Sequence, residues 1–160
     1  MNNEHEQRMM QLIEYTRAQN TEPYGCSIYH ESGEQLVEIL GNKYGPINHA
    51  ETLAINKVAE KHPNIDWHSL ILYTTGEPCC MCAAACCWAN LQTVVYATNI
   101  PFMIELWGLE SPIRAADIFK TYPKQPILLS GICELESNQL FLEHRDSFAA
   151  TWNAKRWSLT

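Results

Sequence analysis

Residues 70–89 have the sequence LILYTTGEPCCMCAAACCWA, and this segment carries the clearest structural signal in the chain. Its first six residues are an apolar run with the length and composition of a buried strand. Gly76, Glu77 and Pro78 interrupt the run, and residues 80–89 are mostly small residues that favour a helix. A strand that leads directly into a helix is the repeating unit of α/β layer folds. We therefore predict an α/β fold.

Further elements are predicted on both sides of this segment. Upstream we predict a helix over residues 4–20, a hairpin of strands over 23–30 and 35–41, and a helix over 49–61 that Asn48 would cap. Downstream we predict a strand over residues 93–97, short helices over 101–106 and 113–119, a strand over 127–129 and a terminal helix over 137–151. Strands alternate with helices along most of the chain, as the α/β prediction requires.

The composition is typical of a globular protein, and we treat residues 1–160 as one domain. No apolar run reaches the length of about 18 residues that a membrane helix needs, and the N-terminus has no apolar signal core. Five of the seven cysteines lie between Cys79 and Cys87, too close together for a disulfide framework. This crowding predicts a reducing, cytoplasmic location and a metal site.

The charge of the chain argues against nucleic acid as a partner. The formal net charge is −7, and only 11 of the 160 residues are Lys or Arg. Proteins that bind nucleic acids usually carry a basic patch that neutralises phosphates. The composition instead favours a small substrate that is uncharged or cationic.

Two short motifs supply residues that bind zinc. Residues 49–51 are His-Ala-Glu, and residues 78–82 are Pro-Cys-Cys-Met-Cys. His49, Cys79 and Cys82 would provide three ligands and leave the fourth position of a tetrahedral zinc open, as in catalytic zinc sites. Both motifs begin a predicted helix, and a positive helix N-terminus favours the thiolate form of a cysteine.

Glu51 is not needed as a zinc ligand, so it is available to move protons. Zinc would lower the pKa of a bound water towards ~7, and the resulting hydroxide would attack an sp² carbon that carries an amino group. Glu51 would take the proton of the water, pass it to a ring nitrogen and protonate the departing ammonia. A chain with both motifs has the signature of zinc-dependent nucleobase deaminases.

A closed structural zinc site is the competing hypothesis. Its fourth ligand would be one of the remaining cysteines of the same helix, namely Cys80, Cys86 and Cys87. Structural zinc ribbons normally use two pairs of ligands, whereas this chain has one Cys-x-x-Cys pair and a distant histidine. The three cysteines also fit small buried residues of a packed helix.

The chain resembles the cytidine and nucleobase deaminase superfamily, over about residues 23–98. It is most similar to the branch that contains guanine deaminases, fungal-type cytosine deaminases and tRNA adenosine deaminases. The segments that carry the resemblance are Pro23-Tyr-Gly-Cys26, Gly41-Asn42, His49-Ala-Glu51, Leu72-Tyr-Thr-Thr-Gly-Glu-Pro-Cys-Cys-Met-Cys82, Trp88-Ala89 and Val94-Val-Tyr96. The resemblance implies a three-layer α/β/α fold with a mixed five-stranded sheet, assembled as a dimer or larger oligomer, and we expect a homodimer.

The resemblance also implies residues that contact a base. Tyr24, Asn42 and Ala50 match positions that line the base pocket, and Trp88 matches an aromatic residue that stacks on purines in guanine deaminases. An acidic residue beyond the fourth strand completes purine recognition there, and Glu110 is our candidate, with Glu105 in reserve. From the residues alone, Asn42 is equally a turn asparagine and Trp88 equally a core tryptophan.

The chain departs from the family pattern at three places. Pro46-Ile-Asn48 replaces the usual residues before the histidine, Asn90 replaces an arginine, and residues 102–126 match no branch. We treat the segment from about residue 99 onward as an atypical specificity segment.

These observations predict a zinc-dependent hydrolytic deaminase of a free nucleobase or related heterocycle, with a guanine-like purine favoured. The alternatives are a tRNA adenosine deaminase, a cytosine or nucleoside deaminase and, outside the enzymes, a structural zinc-binding module. The acidic side chain of Glu51 argues against the last, because a purely structural zinc has no use for it.

Overall fold

The computed structural model describes residues 2–41, 45–108 and 111–146. Helices and strands alternate along most of this length. In chain order they are α1 (Asn2–Gln19), β1 (Gly25–His30), β2 (Gln35–Leu40), α2 (Ala50–Lys61), a short 3-10 turn (Trp67–Ser69), β3 (Leu70–Gly76), α3 (Cys80–Trp88), β4 (Thr93–Thr98), α4 (Ile100–Trp107), α5 (Ala115–Phe119), β5 (Ile127–Leu129) and α6 (Glu134–Glu143).

The strands form one mixed sheet in the order β2-β1-β3-β4-β5. The hairpin β1–β2 is antiparallel, and β1 also pairs antiparallel with β3. The next two pairings, β3–β4 and β4–β5, are parallel. The predicted α/β fold with a mixed five-stranded sheet is therefore confirmed.

Helices cover both faces of the sheet, because the strands are apolar on both. Successive residues of β3 point to opposite faces: Leu72 joins the core beneath α2, α3 and α5, whereas Tyr73 joins the core beneath α1 and α6. A strand buried on both faces is the usual arrangement for parallel pairs. The result is the three-layer α/β/α architecture.

The carboxyl ends of the parallel strands β3 and β4 meet at one edge of the sheet. Glu77, Pro78 and Cys79 leave this edge from β3, and α4 leaves it from β4. In open α/β sheets, ligands usually bind at this edge. A third apolar cluster, formed by Ile100, Met103 and Phe141, covers part of it.

Most element boundaries lie within two residues of the sequence prediction, and the differences at the starts of α2 and α6 have a local cause. The N-cap of α2 is His49 and not Asn48, and its imidazole makes no capping hydrogen bond. Helix α6 begins at Glu134, three residues earlier than predicted, because Cys133 turns the chain in a left-handed conformation at φ 56°. The helix ends at Glu143, and the last residues predicted for it lie outside the described part. No described helix has the length and apolar character to span a membrane.

Candidate metal centre

Three side chains converge where the N-termini of α2 and α3 meet. His49 precedes α2, Cys79 precedes α3, and Cys82 lies in the first turn of α3. Their potential ligand atoms all lie within 4.8 Å of one another. The Nδ1 atom of His49 is 3.5 Å from the Sγ atom of Cys79 and 3.5 Å from that of Cys82.

This spacing fits a tetrahedral zinc. Ligands bound at about 2.0–2.1 Å through nitrogen and about 2.3 Å through sulfur stand about 3.5–3.6 Å apart at a tetrahedral angle. The two nitrogen–sulfur distances match that value. Among the described residues, no fourth His, Cys, Asp or Glu belongs to the group. The arrangement is that of a site with an open fourth position.

The remaining cysteines of α3 do not complete the site. Cys86 and Cys87 are buried in the apolar core between the helices and the sheet, and Cys80 lies outside the three-residue group. The geometry therefore gives no support to the closed structural site.

The two thiols interact strongly. A hydrogen bond from the Cys82 thiol lowers the pKa of Cys79, and the neighbouring His49 lowers it further. The same hydrogen bond, together with burial, raises the pKa of Cys82. A divalent cation that displaces the remaining thiol proton would bind both sulfurs as thiolates.

Glu51 is buried beside this group, with only 5% of its surface exposed. Its Oε1 atom accepts a hydrogen bond of 3.1 Å from the hydroxyl of Thr74 on β3. Burial raises the pKa of Glu51, and the negative charge of Cys79 raises it further. A carboxyl group with a raised pKa can carry a proton as well as accept one, which suits general acid–base chemistry.

Thr74 is not among the site residues predicted from the sequence. The only available signal was the alternation along β3, which places Thr74 on the same face as Leu72 and so towards α2. Nothing local in the sequence indicates that its hydroxyl reaches Glu51, 23 residues away.

The predicted pocket residues lie at different distances from the metal group. Ala50 is buried directly between His49 and Glu51. The ring of Tyr24 packs edge-on against Phe141, with 5.2 Å between centroids, at the strand edge that leads to the site.

Helix α3 places Trp88 away from the metal group. It ends α3, a helix of nine residues that begins beside Cys79, so about 13 Å of helix separate the two residues. Its side chain is 81% exposed and meets the ring of Tyr122 edge-on. Asn42 and Glu110 lie outside the described residues, and the reserve candidate Glu105 is exposed on α4.

A family model supports the assignment of the metal site. The model of the cytidine and deoxycytidylate deaminase zinc-binding region matches residues 2–98. The match covers His49, Glu51, Cys79 and Cys82, together with all of the sheet except β5.

Several proteins of known or assigned activity are similar in sequence. A probable cytosine deaminase of Schizosaccharomyces pombe is 26% identical over 100 residues, which are 61% of this chain and 60% of the relative. The guanine deaminase of Bacillus subtilis is 42% identical over 80 residues, 48% of this chain and 51% of the relative. A tRNA-specific adenosine deaminase of Rickettsia felis is 28% identical over 128 residues, 78% of this chain and 86% of the relative. The chain thus spans between half and two thirds of the first two relatives.

The fold also matches solved structures. The guanine deaminase of Nitrosomonas europaea superposes with a TM-score of 0.72 at 20% identity, over 88% of this chain and 82% of that protein. At this level of identity the likeness concerns the fold alone.

Proposed function

The chain belongs to the cytidine and deoxycytidylate deaminase family through its zinc-binding region, and from this premise we propose that it is a zinc-dependent hydrolytic deaminase. Its substrate is a free nucleobase or related amino-heterocycle, with a guanine-like purine favoured. The observation that carries the proposal is the position of Glu51. A buried carboxyl group lies beside a His/Cys/Cys group that lacks a fourth protein ligand among the described residues.

His49, Cys79 and Cys82 would hold the zinc in this proposal. When bound, zinc would supply Lewis acidity that lets a water give up a proton at neutral pH and act as the nucleophile towards the carbon that carries the amino group. Glu51 transfers one proton of this water to a ring nitrogen and the other to the amino group, which leaves as ammonia. The oxygen of the water remains on the carbon, so the products are the hydroxy or oxo heterocycle and ammonia.

The hydrogen bond from Thr74 keeps the carboxyl group of Glu51 in place during these transfers. Glu51 itself is buried, which strengthens its electrostatic interactions with the reacting atoms. We propose that Tyr24, Asn42, Ala50, Trp88 and Glu110 contact the base. Trp88 lies at the far end of α3 from the metal group. For Trp88 to contact the base, the base must therefore reach along α3, or a second copy of the chain must close the distance.

A purine base is supported by the 42% identity with the guanine deaminase of Bacillus subtilis. The net charge of −7 also suits a small uncharged base better than a polynucleotide. The second candidate is adenosine in tRNA, because the tRNA-specific relative from Rickettsia felis aligns over a larger part of both chains. Cytosine or a nucleoside is the third. A cytoplasmic location and a homodimer are further proposals, which rest on the cysteine content and on the resemblance.

Ammonia release tests the function directly. Zinc-loaded protein is incubated with guanine, adenine, cytosine, their nucleosides, aminotriazines and a tRNA that contains the target adenosine. We expect release from guanine or a related aminopurine. Release from tRNA alone would replace the purine proposal with the second candidate. If zinc-loaded protein released no ammonia from any of these substrates, the deaminase proposal would be rejected.

The variant Glu51→Gln is the matched control. It should retain one equivalent of zinc, because Glu51 is not one of the three ligands. Its rate should fall about a thousandfold, since a positioned general acid–base contributes about 10²–10⁴. Unchanged ammonia release by this variant would contradict the proposed role of Glu51.

A further inference from the structure

Glu77 is a buried carboxylate in the loop that leads to the metal ligands. Its side chain is 1% exposed. Arg114 Nε donates to both carboxylate oxygens at 2.9 Å. The backbone N–H of Ile100 donates at 2.9 Å, and that of Ala115 donates at 3.0 Å.

These donors belong to two separate parts of the chain, the start of α4 and the start of α5. Ile100 is the first residue of α4, Ala115 is the first residue of α5, and Arg114 is the N-cap of α5. The backbone N–H of Glu77 also donates to the carbonyl of Thr98 at 2.7 Å, at the end of β4. One carboxylate therefore joins the loop after β3 to the beginnings of α4 and α5.

The charge of Glu77 is well compensated. Hydrogen bonds to an ionised group are stronger than neutral ones, and the first backbone N–H groups of a helix favour a negative partner. The hydrogen bond to Glu77 raises the pKa of Arg114, so the guanidinium stays charged. The hydroxyl of Tyr96 accepts a second hydrogen bond from Arg114 at 3.2 Å and fixes its orientation.

The position of this carboxylate matters for the metal group. Cys79 is two residues from Glu77, and the residue between them is a buried proline with a restricted backbone. His49 belongs to a different element, so the 3.5 Å separations between His49 and the two sulfurs depend on how this loop is held. The side-chain hydrogen bonds of Glu77 and Arg114 described above go to Ile100, Ala115, Tyr96 and each other, so their effect on the ligands would pass through the backbone.

We propose that Glu77, fixed by Arg114, is a positioning residue that holds Cys79 and Cys82 in zinc-binding geometry relative to His49. The same contacts fix α4 and α5 at this edge of the sheet. The catalytic consequence of this inference rests on the proposed function, whereas its consequence for zinc rests only on the metal group.

Zinc release tests the proposal without any assay of activity. Zinc-loaded protein is mixed with an excess of a coloured zinc chelator at 25 °C, and the first-order rate of zinc release is measured. The variant Glu77→Gln keeps the shape of the side chain but removes the charge and turns an amide N–H₂ towards one of the donors. We expect its release rate to rise at least about tenfold, in the range by which outer-shell substitutions weaken metal sites.

The matched control is Asn99→Ala. Asn99 caps α4 by accepting from the N–H of Phe102 at 2.8 Å, and its amide also bonds Glu134, so neither of these side-chain hydrogen bonds goes to Glu77. This variant should lose stability through the lost cap yet release zinc at the rate of the unaltered chain, within about twofold.

A second variant, Arg114→Gln, covers the case in which Glu77→Gln does not fold. It retains the two backbone donors, so we expect an intermediate rise of about threefold in the release rate. If folded Glu77→Gln, or failing that Arg114→Gln, released zinc no faster than Asn99→Ala, Glu77 would be only a helix cap and the inference would be overturned. Faster zinc release from a chain that deaminates nothing would support the inference and reject the proposed function.

Discussion

The carboxyl group of Glu51 accepts a hydrogen bond of 3.1 Å from the hydroxyl of Thr74 and also interacts with the thiol of Cys82. The same hydroxyl lies 3.1 Å from the carbonyl of Gly76, so it ties Glu51 to the end of β3. We expect Thr74→Val to lower kcat by about tenfold to a hundredfold, because small misplacements of a catalytic group cost rates of this order. Steady-state kinetics on the best substrate of the panel would measure kcat and KM separately, and zinc content should stay at one equivalent.

The neighbouring Thr75 supplies the control. Its hydroxyl is also buried and bonds the carbonyl of Pro23 at 2.6 Å and the N–H of Gly25 at 3.0 Å, away from Glu51. Both valine variants should lose about 1–3 kcal/mol of stability, since each leaves buried polar groups without a partner. Only Thr74→Val should lower kcat. Equal kinetic losses in the two variants would show that stability, and not the position of Glu51, controls the rate.

In the proposed metal site, Cys82 is a ligand and Cys80 is not, and substitution of each cysteine tests this assignment. Cys82→Ser removes a sulfur that lies 3.5 Å from His49 Nδ1, so we expect the purified variant to hold well under one equivalent of zinc. Cys80→Ser should retain one equivalent, because Cys80 is outside the group. Metal analysis after dialysis measures both. Loss of zinc from the Cys80 variant would restore the closed structural site as the better explanation.

At the scale of elements, the contact between α1 and β1 is tight enough to test. A methyl group added at Gly25 would lie 2.0 Å from the Oγ1 atom of Thr16 and 3.3 Å from a methyl of Leu12. The hydroxyl of Thr16 is held by a 2.7 Å bond to the carbonyl of Leu12, so it cannot easily move aside. We expect Gly25→Ala to destabilise the fold by about 1–3 kcal/mol, which is the usual cost of overpacking. This cost is larger than the stabilisation that alanine provides by reducing the conformational entropy of the unfolded chain.

Urea unfolding measures this change, and Thr16→Ala provides the partner variant. Removing the hydroxyl leaves the Cβ of residue 16 as the nearest atom, at 3.2 Å. The double variant should therefore be more stable than Gly25→Ala alone. An increase in stability for Gly25→Ala would mean that α1 is not packed against β1 as described.

The local sequence pattern was sufficient to predict most of the helices and strands. The apolar run predicted for residues 70–75 is observed as Leu70–Gly76, because a strand buried on both faces needs apolar residues throughout. The start of α6 was missed, because it depends on the left-handed backbone of Cys133, whose thiol contacts the carbonyl of Glu6 more than a hundred residues away. A conformation selected by a distant segment leaves no periodic signal in the sequence.

For the site, the motif residues could be predicted from the sequence, as most helices and strands could. Motif spacing predicted His49, Glu51, Cys79 and Cys82, which the structure brings close together, because ligand chemistry restricts the residue types and helix starts restrict the spacing. The supporting contacts were not predictable, since the donors to Glu77 lie 23 to 38 residues further along the chain. Which residues hold a ligand loop in place is decided by the packing of several elements, and a single sequence does not encode that in any local pattern.

At the scale of the whole molecule, the metal group links two helices that the chain places far apart. His49 belongs to the start of α2 and the two cysteines to the start of α3, and a β strand lies between them in the sequence. Zinc would therefore cross-link two parts of the layer that covers one face of the sheet. Because zinc binds the folded arrangement of ligands, its binding free energy adds to the stability of the fold.

We expect removal of zinc by a chelator to lower Tm by about 5–10 °C. A ligand at a hundredfold excess over its Kd stabilises the folded state by about 2.7 kcal/mol, and about 2–4 °C corresponds to 1 kcal/mol in a domain of this size. Thermal unfolding followed by circular dichroism, with and without the chelator, measures the shift, and added zinc should reverse it. The Cys82→Ser variant should show no response to either treatment. An equal response in that variant would mean that the stabilising zinc binds elsewhere, and it would separate the metal from the His49, Cys79 and Cys82 group on which the proposed chemistry depends.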